Sequence, residues 1–361
     1  MPKQYLLDIA IRHAAHLEGL KANEVAKFDA FLRAMDKDIR EKLGSVDITD
    51  FTRARLERQI KAVSAALRGQ HDKYGKVWAQ SIDDLAEYEA GFEGRSLERV
   101  VTGVEFALPS TKQLMAAVWN TPLGDISAAD GGKMLQGFLD GHTAKQIQRV
   151  EGAIRLGYAE GQTTAQVVRR IRGTKAANFS DGILAEAKRD IEMVTRTALQ
   201  HAAGQARQAV WKENSDVIAR VRIVAALDER TSSICRSLDG QEYPIDKGPR
   251  PPFHPRCRTA TSAVLAPKYA KLSEGRTRVA KDPETGKIEL VSAKSSYYDW
   301  LTKQPATVQD SIVGQTRGKL LRNGGISADR FAELQMGKNF KINTLAQMRE
   351  LEPLAFERAN L

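Results

Sequence analysis

Apolar side chains recur at helical spacing through most of the 361-residue chain. In the first hundred residues, one run steps through every third or fourth position over residues 25–43, and a second continues the same period over residues 56–85. Because Gly44 interrupts the pattern between the two runs, the sequence predicts a long antiparallel helical hairpin within residues 1–100.

Residues 101–215 repeat the helical period in shorter pieces. A helix is predicted to start with Thr163 or Thr164 as its cap, and a long helix is predicted from about residue 181 to residue 212. The sequence therefore indicates a helical middle domain.

The composition then changes towards β-branched residues. Residues 217–227 form the best strand candidate, and 241–245 and 258–264 are weaker ones. Residues 216–268 are therefore predicted to form a small β-containing module. The fold class that follows is mainly α, with this one module set between helical regions.

Two further regions complete the predicted organisation. Residues 269–296 are charged and interrupted by Pro283 and Gly286, and are interpreted as an irregular basic linker. Residues 297–361 return to the helical period, with Ser327 as a cap and a capping box starting at Thr344. This last stretch is predicted to be a C-terminal helical unit.

Composition excludes several classes of protein. No run approaches 18 apolar residues, and the N-terminus lacks the basic-then-apolar pattern of a secretion signal, so no membrane association is expected. Two cysteines do not make a disulfide framework. A reducing compartment fits such a chain.

Positive charge is concentrated in one segment. The net charge is +10, yet residues 1–100 are balanced, whereas residues 247–281 carry nine bases against a single acid, Glu274. Such a patch is typical of a polyanion binder, most simply double-stranded DNA contacted through its phosphates, although a solvated basic loop is the plain alternative. The candidate nucleic-acid-binding residues are Lys247, Arg250, Arg256, Arg258, Lys268, Lys271, Arg276, Arg278 and Lys281.

The chemistry of the chain is concentrated in the same region. Cys235, His254 and Cys257 follow one another with gaps of eighteen and two residues. Thiolate and imidazole are ligands that tetrahedral zinc accepts, so the spacing indicates a possible structural Zn²⁺ site. The alternatives are two buried thiols beside a hydrogen-bonded histidine, or a Cys235–Cys257 disulfide.

The fourth ligand is the open question of this site. Asp228 is the first candidate, because the end of a strand would direct its carboxylate towards the cysteines. Asp239, Asp246 and His201 are the other candidates.

No catalytic signature accompanies the cluster. A metal-dependent nuclease needs a general base in addition to its ligands, and His254 cannot serve as both. No other histidine lies in the segment. The sequence therefore favours a protein that is not an enzyme, with a DNA-acting nuclease or hydrolase as the alternative.

The motif itself resembles a known family. The runs that carry the resemblance are Ala226–Ser232, Cys235–Gly240 and Pro251–Arg258, supported upstream by Gly161–Val168, Thr195–Thr197 and Ala202–Arg207. They are similar to the signature of the Mu F-like minor capsid proteins, which act in head morphogenesis of tailed phages. The resemblance covers about residues 150–266. The family pattern often ends Cys-Arg-Cys, whereas Thr259 follows Arg258 here.

The resemblance implies a role that spacing and composition cannot supply. It implies a minor protein of the phage head that associates with the portal protein and inner capsid during assembly in the host cytoplasm. It also implies contact with packaged DNA, and for some members of the family travel with that DNA on ejection. A transient assembly chaperone, absent from the finished virion, is a further alternative.

Overall fold

The computed structural model describes residues 5–44, 47–123, 132–337 and 340–361. Helices predominate, which confirms the mainly α fold class. The helices and strands are, in chain order, α1 (Leu6–Ala26), α2 (Phe28–Leu43), α3 (Arg53–Val100), α4 (Thr111–Trp119), α5 (Leu135–Ala159), α6 (Thr164–Arg172), α7 (Ile183–Glu213), β1 (Ile218–Val224), α8 (Ser233–Leu238), β2 (Glu242–Pro244), β3 (Ala260–Leu265), α9 (Ala270–Ser273), β4 (Thr277–Lys281), β5 (Ile288–Ser292), α10 (Tyr297–Thr302), α11 (Ala306–Val313), α12 (Gln315–Asn323), α13 (Ala328–Gln335), α14 (Leu345–Leu351) and α15 (Pro353–Arg358). Short 3-10 turns span Ile48–Asp50 and Pro267–Tyr269.

Helices α2 and α3 form the predicted antiparallel hairpin. Near the start of α2, Lys27 Nζ donates to Ser81 Oγ at 3.1 Å, and further along Gln70 Nε2 donates to Asp38 at 2.7 Å. Successive positions along α2 therefore contact earlier positions along α3, which shows that the two helices are antiparallel. Helix α1 packs beside the pair, and α3 is continuous for 48 residues.

One hydrophobic core extends across the domain boundaries that the sequence predicted near residues 100 and 215. Tyr74 of α3, Trp211 of α7 and Val221 of β1 all belong to it and are almost fully buried. Packing of this kind contributes most of the stability of a helical body. The long helix α7 lies at the centre of the arrangement, in contact with α3, α4, α5 and α1.

Ionic groups are also buried inside this core. His13 Nε2 lies 2.6 Å from Glu89, and Arg207 Nε lies 3.3 Å from the same carboxylate. Trp211 Nε1 donates to Glu93 at 2.7 Å, and burial raises the pKa of Glu93 above its ordinary value. These contacts tie α1 and α7 to α3.

The β-module contains a three-stranded antiparallel sheet of order β2-β1-β3. Val221 of β1 pairs with Tyr243 on one side and Ala263 on the other. All three strands lie within the segments predicted from the sequence, or extend them by one residue. The sheet places the loop between β2 and β3 against α7.

The predicted irregular linker is wrong in one respect, because it contains a β-hairpin. Strands β4 and β5 pair antiparallel, with Val279 opposite Leu290. Arg278 and Ala280 face inwards, whereas Val279, Leu290 and Ile288 are 43%, 68% and 75% exposed. The hairpin therefore buries a charged side chain and exposes apolar ones, the reverse of the usual arrangement. Because the alternation of apolar and polar residues does not match a buried apolar face, the sequence pattern did not predict these strands.

The C-terminal helices have a hydrophobic cluster of their own. Its buried members are Leu227, Ala280, Tyr297, Tyr298, Trp300, Leu301, Val313, Leu320, Leu321, Phe331, Ala332, Leu334, Met348, Ala355, Phe356 and Ala359. The predicted caps are present: Ser327 accepts from the backbone of Arg330, and Thr344 forms a capping box with Gln347. Leu227 and Ala280 join the cluster, so the β-module and the hairpin are packed against this unit.

Candidate metal centre

Cys235, His254 and Cys257 come together in the folded chain. One ligand atom from each lies within 4.8 Å of the other two. Cys235 Sγ is 3.2 Å from His254 Nε2 and 3.8 Å from Cys257 Sγ. Both cysteines are free thiols, so the predicted disulfide alternative is excluded in this structure.

Two local structures present these side chains. Cys235 lies in the first turn of α8, where its backbone N–H donates to the capping hydroxyl of Ser232 at 3.3 Å. His254 and Cys257 belong to one turn ahead of β3, in which the Cys257 N–H donates to the His254 carbonyl at 3.2 Å. Phe253 and Ile223 close the apolar side of the cluster.

Helix α7 fixes the turn that carries two of the three ligands. Thr197 Oγ1 accepts from the Arg256 backbone N–H at 3.0 Å. Gln200 Nε2 donates to the Thr259 carbonyl at 2.7 Å, and Lys21 of α1 donates to Gln200 Oε1 at 2.5 Å. Lys21 is 1% exposed, and desolvation lowers its pKa. Thr197 and Gln200 are positioning residues that the cysteine spacing could not reveal. The family resemblance included Thr197, whereas no sequence signal pointed to Gln200.

The three side chains shift one another's pKa values. Burial disfavours a thiolate at Cys257, but hydrogen bonds from Cys235 and His254 outweigh it and hold the pKa of Cys257 well below its ordinary value. The contact with Cys257 raises the pKa of His254, and contact with Cys257 together with burial raises that of Cys235. A metal cation that bound here would replace the dissociable protons of these groups.

The donor set and its spacing fit zinc. Tetrahedral coordination with Zn–S bonds of about 2.3 Å separates two sulfurs by about 3.8 Å, the separation found between Cys235 and Cys257. The other ring nitrogen of the histidine, Nδ1, lies 2.8 Å from the Pro255 carbonyl. A proton on Nδ1 leaves Nε2 free to ligate, an arrangement common to metal-binding histidines.

Asp228, predicted as the fourth ligand, is not part of the cluster. Its two carboxylate oxygens accept from Arg258, at 2.5 and 2.7 Å, and Thr231 also donates to it. Arg258, one residue after Cys257, binds both oxygens of this carboxylate in a bidentate pair of charge-assisted hydrogen bonds. The prediction of Asp228 as a ligand is therefore corrected.

The other three candidates also lie outside the cluster. Asp239 is bound to Arg278 at 2.8 Å. Asp246 is exposed, and His201 is buried with Nε2 at 3.1 Å from the Val118 carbonyl. Among the residues that the structure describes, three protein ligands converge, and a fourth position would remain for water.

The structure separates the nine predicted DNA-binding residues into three groups. Arg278 is 5% exposed and paired with Asp239, and Arg258 is paired with Asp228, so these two hold the fold together. Arg250 and Lys281 are half-buried, and Lys281 lies 3.9 Å from Glu229. The exposed members are Lys247, Arg256, Lys268, Lys271 and Arg276. The patch is therefore smaller than the charge count indicates.

We expect Asp228→Asn to lower stability at neutral pH by about 1–3 kcal/mol, because Arg258 loses its partner. Burial raises the pKa of Asp228, but the Arg258 guanidinium outweighs burial and holds it below its usual range. A lowered pKa contributes stability that is present above about pH 3.9 and is lost as the pH falls through the folded value. The difference from wild type should therefore shrink towards pH 3.

Urea midpoints at pH 7 and pH 3.5, both with chelator present, would measure this effect. Asp246→Asn serves as the control, since its carboxylate is exposed. A difference between Asp228→Asn and wild type that stays constant with pH would contradict the assignment of Asp228 to Arg258.

Between residues 5 and 361, leaving aside the short gaps in the description, no helix combines the length and apolarity needed to span a bilayer.

Comparison with known proteins identifies the region that holds the cluster. Residues 148–262 match the family model described as Phage Mu protein F like protein. The resemblance to head morphogenesis proteins of tailed phages is thereby confirmed over this stretch, which is about a third of the chain. No curated protein and no solved structure gives a significant match.

Proposed function

We propose that the chain is a minor head protein of a tailed phage, which acts in head morphogenesis at the portal vertex and becomes part of the virion. The observation that carries the proposal is the family match over residues 148–262, which contain all three residues of the cluster. Binding to a co-expressed portal protein, and detection of the chain in purified virions, would test it. Absence from mature particles would instead support the assembly chaperone.

Within this role, the cluster would hold a structural Zn²⁺ through Cys235, His254 and Cys257. A bound metal supplies folding energy to a module with few apolar residues of its own. The residues gathered around the site are Ile223, Ala225, Leu238 and Phe253. The metal would thus fix the loop that lies against α7.

The same chain would contact packaged DNA without base specificity. Five exposed basic side chains, from Lys247 to Arg276, remain for phosphate contacts after burial and ion pairing are taken into account. Contacts of this kind position a protein on a duplex and carry no sequence information. Affinity should therefore depend on salt rather than on sequence.

We expect duplex affinity to fall steeply between 50 and 200 mM salt. If all five side chains each neutralise one phosphate, the slope of log K against log salt is about −4.5, which is roughly a 500-fold loss over this range. Fluorescence anisotropy with two unrelated duplexes would measure it. Equal affinity at low and high salt, or strong preference for one duplex, would contradict DNA contact through phosphates.

One observation favours an enzyme as the second candidate. Three protein ligands with an open fourth position are typical of catalytic zinc rather than structural zinc. The carboxylate of Asp228, which could otherwise act as a general base, is however held by Arg258, and both ring nitrogens of His254 already have partners. We therefore rank a DNA-acting hydrolase second. Plasmid cleavage with Mg²⁺ or Zn²⁺ that disappears in His254→Ala would reverse this order.

A further inference from the structure

A cleft lined by several charged side chains lies between the C-terminal part of α7 and the loop that follows β2. Its volume is about 400 Å³. One wall is formed by Gln208 and Lys212 of α7, and another by the loop residues Asp246, Lys247 and Arg250. Lys212 lies outside the basic segment recognised in the sequence.

Arg250 provides a fixed positive charge in this cleft. Its guanidinium donates to Gln208 Oε1 at 3.1 Å and to the carbonyls of Pro249, Pro244 and Ile245 at 2.9, 2.6 and 3.1 Å. All four acceptors are neutral, so they hold the side chain in place without cancelling its charge. Desolvation lowers the pKa of Arg250, as expected for a cation with little negative charge beside it.

The balance of charge around the cleft is positive. Lys212 and Lys247 are exposed and line it together with Arg250. Among the described lining residues the single acid is Asp246, which is also exposed. Three cations against one carboxylate in a concave site raise the local concentration of anions.

We propose that this cleft binds a backbone phosphate of double-stranded DNA, an inference that rests on the proposed DNA contact and gives it a location. A guanidinium has five N–H donors, and four hydrogen bonds within the protein leave Arg250 one. With one donor left, Arg250 cannot form a bidentate pair with either a carboxylate or a phosphate. Recognition is by charge, with Lys212 and Lys247 reaching adjacent phosphates along the duplex.

The double variant Lys212→Ala/Lys247→Ala tests the site. Both side chains are exposed, so the fold should be retained, which equal thermal midpoints would verify. Loss of two phosphate contacts should make the salt slope less steep by about 1.8. Lys73→Ala/Lys76→Ala is the matched control, because it removes the same charge from exposed positions on α3. Its slope should equal that of wild type.

The possible results separate this proposal from the general one. If wild type shows no salt-dependent binding, DNA contact itself is wrong. If wild type binds and both double variants lose affinity equally, the chain binds DNA but the cleft is not the site. A polyglutamate peptide that bound as tightly as the duplex, and lost affinity in Lys212→Ala/Lys247→Ala, would overturn the assignment to DNA in favour of an acidic protein segment.

Discussion

Cys257→Ser is expected to abolish zinc retention, with wild type carrying one zinc per chain and the variant less than a tenth of that. A serine hydroxyl at neutral pH is not the thiolate that zinc requires, and two remaining ligands cannot hold the ion. At free zinc about a thousand times its Kd, bound metal stabilises the fold by about 4 kcal/mol. That contribution should be missing from the variant.

Metal analysis after gel filtration and thermal unfolding with and without chelator would measure both effects. Because Cys257 is buried, its replacement also disturbs packing. Chelating wild type isolates the metal contribution and should reproduce most of the loss, whereas chelator should leave Cys257→Ser unchanged. Zinc at wild-type stoichiometry in the variant, or no effect of chelator on wild type, would contradict a Cys235–His254–Cys257 metal site.

Asp228→Asn provides the matched comparison for this experiment. Its carboxylate contacts Arg258 rather than the cluster, so the variant should keep its zinc even though it loses stability. Loss of zinc in Asp228→Asn would restore the carboxylate as a ligand. The pair of variants thus separates a ligand from a nearby structural acid.

The sequence was informative about the cluster because the chemistry is local. Two ligands separated by two residues can be carried by one turn, and a capped short helix presents the third, so spacing alone brings out Cys235, His254 and Cys257. The partner of the Asp228 carboxylate, in contrast, is not determined by nearby residues in the sequence. It depends on how β3 places Arg258 beside the end of β1, which no spacing rule describes.

The pattern of apolar and polar residues predicted the helices correctly, but the same pattern and the charge count were misleading for the β4–β5 hairpin. Amphipathic periods predicted α2, α3 and α7 because a helix buries one face of its own sequence. In β4 the buried face contains Arg278 and the exposed face Val279, since Asp239 supplies an internal partner for the arginine. Counting charges along the chain therefore overstated the surface patch and concealed two strands.

Arg278→Met should destabilise the protein by about 3–5 kcal/mol, the usual cost of breaking a buried ion pair from one side. The guanidinium contacts both oxygens of Asp239, at 2.8 and 3.0 Å, and the carbonyls of Ser295 and Ala225. Asp239 has no exposed side-chain surface. Methionine would fill similar space and leave a buried carboxylate without its counter-charge. Urea unfolding, read as a shift in midpoint at unchanged slope, would measure the loss.

Two further variants make this prediction specific. Arg278→Met/Asp239→Asn should recover more than half of the loss, because asparagine is neutral and can still accept from the Ala225 N–H, as Asp239 does at 2.7 Å. Arg276→Met, two residues away, removes an exposed guanidinium that lies 5.3 Å from the Tyr5 ring, and should cost less than about 1 kcal/mol.

For DNA binding, Arg276→Met should have the larger effect and Arg278→Met the smaller one, the opposite of their order for stability. Arg276→Met should make the salt slope less steep by about 0.9, whereas folded Arg278→Met should keep the wild-type slope, because a buried guanidinium paired with a carboxylate releases no counterion on binding. Equal stability of the two variants, or an equal change in slope, would show that Arg278 belongs to the surface. One pair of neighbouring arginines thus distinguishes charge that holds the hairpin from charge available to a polyanion.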